Sequence, residues 1–78
     1  MNEKIYVAAG NEGVDVYSYE DSKLKFESSL KSISNSKLHI YLNAYDIGGN
    51  EDYLFILDHS YGLLICDYNF TLLFTHSI

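Results

Sequence analysis

Seventy-eight residues make at most one small domain, of a size at which a single apolar core leaves little margin of stability. Eleven acidic against five basic side chains give a net charge of −6, with no arginine and with Lys4, Lys23, Lys25, Lys31 and Lys37 scattered along the chain. Nucleic acid and anionic membrane are therefore excluded as partners, since both require clustered cations, and the longest apolar runs, 53–57 and 63–66, fall far short of the roughly 20 residues that span a bilayer.

In chain order the pattern is that of short strands. Residues 4–9 read as a strand ending at the turn cluster Gly10-Asn11-Glu12-Gly13. Residues 14–19 resume with period two, Val14 and Val16 on one face and Asp15, Tyr17 and Tyr19 on the other. A polar turn, Glu20-Asp21-Ser22-Lys23, leads into 24–30, which alternates through Leu24, Phe26 and Leu30. Short polar turns between such runs predict an antiparallel meander. The polar stretch 31–37 (KSISNSK) reads as a connection, and 38–42 alternates again, with 43–47 prolonging or following it as an inner strand over 38–46. Gly48-Gly49-Asn50 reads as a break. Strands at 53–57, 62–68 and 70–77 follow, with turns at 58–61 and near Asn69. Eight tyrosines, four phenylalanines and no proline suit pleated sheet. Nothing shows helical spacing, so the expected class is all-β.

A glycine-anchored segment of about 27 residues occurs twice, displaced by 49 positions. Ile5-Tyr6-Val7-Ala8 lies over Leu54-Phe55-Ile56-Leu57, Gly13 over Gly62, Val14 over Leu63, Val16 over Ile65 and Tyr19 over Tyr68. After a one-residue deletion, Leu24 lies over Leu72, Phe26 over Phe74, Ser29 over Ser77 and Leu30 over Ile78. The chain thus reads as one unit of two β-meander repeats, 1–30 and 31–78, the second including its inner strand.

Gly62-Leu63-Leu64-Ile65-Cys66-Asp67, preceded by Tyr53-Leu54-Phe55-Ile56-Leu57-Asp58, resembles the LVIVD-type β-propeller repeat, in which a glycine leads an apolar strand ending in aspartate. The chain departs from that pattern in having no proline, and in carrying Ser18 where the first copy would have the aspartate. The resemblance implies antiparallel four-stranded blades, about one and three-quarters of them, whereas closure of known propellers takes roughly four or more. The expectation is that the missing neighbours come from a longer protein, from self-association or from another subunit. Polarity agrees: Leu63 and Ile65 face one way, Leu64, Cys66 and Tyr68 the other, and Phe70, Leu72, Leu73 and Phe74 spread apolar bulk over both sides. A strand apolar on both faces requires cover on both. The alternative fold is a small β-sandwich.

The residues that carry chemistry form no constellation in sequence. His39, His59 and His76, with Asp46, Asp52, Asp58 and Asp67 as companions, lack metal-ligand spacing. Asp58-His59-Ser60 holds the residue types of a catalytic triad, but strand neighbours point to opposite faces and turn chemistry accounts for the trio. Asp58 and Asp67, which end strands, are expected to accept turn amides. Gly10-Asn11-Glu12-Gly13 lacks the lysine and following helix of a phosphate loop, and Gly48-Gly49-Asn50-Glu51-Asp52 lacks the alternating ligands of a calcium loop. The eight tyrosines are expected to pack between blades. No catalytic, cofactor-binding or metal residue is assigned. A single cysteine, Cys66, and an N-terminus (MNEKIYVAAG) without an apolar leader point to a soluble, cytoplasmic chain. The functional expectation is a non-catalytic interaction module that binds a protein partner or its own copies through exposed blade faces. The alternative is a fragment of a propeller enzyme, lactonase- or dehydrogenase-like, with His39, Asp46 and Asp58 near its central channel.

Overall fold

β-Branched and aromatic residues in short runs, each closed by Gly, Asn or Asp, favour extended chain broken by tight turns. The computed structural model describes residues 4–77. Within them the chain is all-β, with nine strands in three antiparallel sheets and no helix; no helix is therefore long and apolar enough to cross a membrane. The first sheet is the meander β1 (Ile5–Ala8), β2 (Val14–Glu20) and β3 (Lys23–Leu30). A hairpin of β4 (Ser32–Ser34) and β5 (His39–Tyr41) follows. The third sheet, β6 (Ala44–Gly49), β7 (Leu54–Asp58), β8 (Gly62–Cys66) and β9 (Leu72–His76), keeps its strands in sequential order.

Three features differ from the reading of the sequence. The stretch 31–37 is not merely a connection, because Ser32–Ser34 pairs with His39–Tyr41 and places buried Ile33 opposite buried Ile40. One isoleucine among polar residues is enough for a strand when only one of its faces meets the core. The expected inner strand 38–46 is accordingly divided: its first part belongs to this hairpin, and Ala44–Gly49 is the strand that pairs with β7. Gly48 and Gly49 do not break the chain but stand opposite Phe55 and Leu54, and the turn comes after them.

Four of the turns share one device. Asn35, Asn50, Asp58 and Asp67 each accept two backbone N–H bonds from residues two to four positions ahead, at 2.8–3.1 Å. Short Asx side chains can satisfy donors that a turn would otherwise leave unpaired. Of the two other hairpins, that between β1 and β2 closes through backbone bonds, Glu12 N to Ala9 O at 3.1 Å and Gly13 N to Gly10 O at 2.9 Å, and that between β2 and β3 puts Asp21 and Ser22 in the left-handed region, at φ 52° and 62°, as a two-residue type I′ turn requires.

The first and third sheets are built alike. Tyr6 stands opposite Val16 and Ala8 opposite Val14; 49 residues on, Phe55 stands opposite Ile65 and Leu57 opposite Leu63. The first sheet has a register shift between Val16 and Tyr17, and the third has one between Ile65 and Cys66, again 49 residues apart, besides another between Ala44 and Asp46. Gly13 and Gly62, which lead into β2 and β8, both have positive φ (89° and 78°). Only the last strand departs from the sequence alignment. Phe26 stands opposite Tyr17 and Leu72 opposite Cys66, so Phe26 corresponds to Leu72 rather than to Phe74. Residues 1–3 and Ile78, the partner of Leu30 in that alignment, lie outside the described residues.

The faces that become buried are opposite ones. Tyr6, Val14 and Val16 are buried in the first sheet, yet Phe55, Leu63 and Ile65, 49 residues on, lie on the half-buried outward face of the third. Conversely Leu54, Ile56, Leu64 and Cys66 are buried, while Ile5, Val7, Asp15 and Tyr17 face outward. The two inward faces join in a single core, to which the hairpin adds Ile33 and Ile40 and the segment after it adds Leu42.

Gly13 is the backbone position this arrangement constrains most. A Cβ there would overlap the carbonyl of Leu30, whereas on Gly10, also left-handed at φ 59°, it would meet only Asn43 Oδ1 at 3.9 Å. Gly10→Ala is expected to cost about 1 kcal/mol, the left-handed penalty alone, and Gly13→Ala at least about 2 kcal/mol more, read as urea midpoints at unchanged slope.

Candidate protein-interaction site

Of the residues first considered for chemistry, Asp58 and Asp67 each hold a turn. Asp58 ends β7, is 2 % exposed, and receives three backbone amides. Asn43 N donates to Oδ2 at 2.7 Å, and Ser60 N and Tyr61 N donate to Oδ1 at 2.8 and 3.1 Å. With His59 N donating to Asn43 O at 2.9 Å, this carboxylate fastens the β7–β8 turn to the segment between β5 and β6. The side chains of Asp58-His59-Ser60 do not assemble as a triad: the Asp58 carboxylate holds the backbone of Ser60, and the His59 ring lies against Tyr45 at 4.6 Å. Tyr45, Asp58, His59, Ser60, Gly62 and Ser77 line an open depression of about 250 Å³.

His39 lies on the exposed edge of the hairpin with its ring 4.9 Å from Tyr41. Asp46 is exposed on β6 and bonds to its neighbour Ile47 N. No hydrogen bond or ring contact among the described residues joins any two of His39, Asp46 and Asp58, and no group of three His, Cys, Asp or Glu among them could hold a metal ion. Asp67 caps its turn through Asn69 N and Thr71 N, both at 3.0 Å. Cys66 is fully buried; burial first, and the charge of Asp67 second, push its thiol up to about 11. At neutral pH it stays protonated and inert as a nucleophile.

What the molecule does present is apolar sheet surface on two sides. On the outward face of the first sheet, Ile5, Val7, Tyr17, Leu24 and Phe26 form a continuous patch, Tyr17 and Phe26 meeting edge to face at 5.6 Å. Phe26 is 53 % exposed. On the outward face of the third sheet, Phe55, Leu57, Leu63, Ile65 and Phe74 do the same, Phe74 being 51 % exposed. Large contiguous apolar patches on a small protein mark contact surfaces. The tyrosines divide between these roles. Tyr6 and Tyr68 meet across the two sheets at 5.7 Å, with the Tyr68 hydroxyl donating to Asn50 O at 2.7 Å. Tyr17 lies on an outward face, and Tyr41, Tyr45, Tyr53 and Tyr61 are exposed.

The two-sided apolarity of residues 63–68 was visible in sequence, but that of the first sheet was missed. The signal lay in Ile5-Tyr6-Val7 and in Phe26 opposite Tyr17, and it needed the strand register to be recognised. No family model, no curated protein and no solved structure matches this chain.

Asp58→Ala leaves three amides without an acceptor in a buried site and is expected to cost about 3 kcal/mol or more. Asp67→Ala, at a more open turn, is expected to cost about 1 kcal/mol. Urea unfolding midpoints check both values.

Proposed function

We propose that this chain is a non-catalytic protein-interaction module made of two propeller-type blade units stacked in tandem, with its two outward sheet faces as the binding surfaces. The observation that carries this reading is the opposite burial of residues 49 positions apart. In a two-fold sandwich of equivalent sheets, the same patch would be buried on both. Here Val16 is buried and Ile65 faces out, while Leu54 is buried and Ile5 faces out. Such a relation is heterologous, as between successive blades or solenoid repeats, where each unit offers one face to the unit before it and the other to the unit after it. The four strands of the third sheet in sequential antiparallel order fit a blade, as does the resemblance of residues 62–67 to the LVIVD-type repeat. A cytoplasmic setting accords with the single buried thiol.

Photo-crosslinking in cells that make the protein tests the reading. p-Benzoylphenylalanine in place of Phe26 or Phe55 is expected to give covalent adducts with protein, whether another chain or a second copy. The same residue in place of Tyr41, on the exposed hairpin, is expected to give few. Equal yields at all three positions, or none at the two faces, would overturn the assignment.

A further inference from the structure

We infer that the outward face of the third sheet docks onto the outward face of the first sheet in a second copy of this chain, head to tail. This rests on the tandem-blade reading and specifies the partner. The argument is continuity with the interface the molecule already contains. Inside the chain, the face carrying Tyr6, Val14 and Val16 covers the face carrying Leu54, Ile56 and Leu64.

By the shared strand register, Phe55, Leu63 and Ile65 occupy the places of the first set and are left open on the third sheet. The character of each position is kept: aromatic at 6 and 55, aliphatic at 14 and 63, and at 16 and 65. Likewise Ile5 and Val7 occupy the places of Leu54 and Ile56, and Phe26 that of Leu72. The two open faces of one molecule are thus the two halves of an interface that it has already made once. The face on the third sheet complements the face on the first, not itself, so association is polar. It ends in a closed ring or runs on as a filament; a ring of roughly two to four copies would carry the four to eight blades of known propellers.

One difference makes this contact weaker than the internal one. Asp15 stands where the internal interface has Leu64, its carboxylate accepting a bond from Ser29 Oγ at 2.7 Å. A carboxylate facing an apolar surface opposes docking, so Asp15→Leu should strengthen it.

Sedimentation equilibrium on the purified chain and two variants tests the proposal. One variant blocks the first sheet (Val7→Lys with Phe26→Lys) and the other blocks the third (Ile65→Lys with Phe74→Lys). Circular dichroism checks that both remain folded, and Phe26→Lys or Phe74→Lys alone replaces a double variant that does not. The unaltered chain is expected to exceed the mass of one chain as its concentration rises, and Asp15→Leu to do so at lower concentration. Each blocked variant alone is expected to stay at one chain, and their equimolar mixture to reach two and stop. Self-pairing of either blocked variant would overturn the head-to-tail geometry. A single-chain mass for the unaltered protein throughout would overturn the second copy as partner, while adducts to another protein at Phe26 or Phe55 would still uphold the module itself.

Discussion

Tyr6, Val14 and Val16 on one sheet and Leu54, Ile56 and Leu64 on another bury themselves against each other, and the rest of the fold depends on that layer. Burying one aliphatic side chain contributes roughly 1.5–3 kcal/mol. Small domains hold only about 5–15 kcal/mol in all, so few such residues can be lost. Neither larger sheet could stand by itself, since a three- or four-stranded meander needs one apolar face covered. The hairpin closes the gap between them with Ile33 and Ile40, and it is tied to the start of β9 through the Ser34–Thr71 bridge and Asn35 Nδ2 donating to Leu72 O at 3.3 Å.

Around this layer, polar side chains hold the loops. Asp58 is the clearest case. A charged group at 2 % exposure is costly unless its oxygens are satisfied, and three amides satisfy them. Among the described residues no buried side-chain polar atom lacks a partner. Buried, unpaired or strained titratable groups are common where catalysis is prepared. In this chain Asn35, Asn50, Asp58 and Asp67 accept turn amides.

The all-β strand pattern and most of the turns were legible in sequence because period-two alternation and Asx or Gly turns are local signals. The β4–β5 hairpin was not, since Ile33 is one apolar residue in seven and its pairing with Ile40 depends on the turn at Asn35. Gly48 and Gly49 misled for the opposite reason: glycine usually punctuates, but it is tolerated in a strand whose face leaves room, and a Cβ on Gly48 would meet nothing. The alignment of the last strand was off by two because the hairpin before β9 is shorter than the one before β3: Tyr17 pairs nine residues on, with Phe26, but Cys66 only six on, with Leu72, a difference of three where the alignment allowed one. The candidate site was half visible. Two-sided apolarity marked the second unit, but which face would be buried in each unit is a property of how they stack.

That stacking has a physical consequence beyond the chain. Units that cover one another by opposite faces always leave a first and a last face open, unlike a two-fold pair, which closes on itself. Copies of a protein of net charge −6 repel one another, so the association proposed above is expected to strengthen as salt screens that repulsion. The most direct measurement is the urea midpoint, at high dilution, of four variants: Val16→Lys, Ile65→Lys, Leu54→Lys and Ile5→Lys. Opposite burial predicts that Val16→Lys and Leu54→Lys lose most of the stability, while Ile65→Lys and Ile5→Lys stay within about 1 kcal/mol of the parent. Equal losses within the pair Val16 and Ile65, or within Leu54 and Ile5, would contradict it.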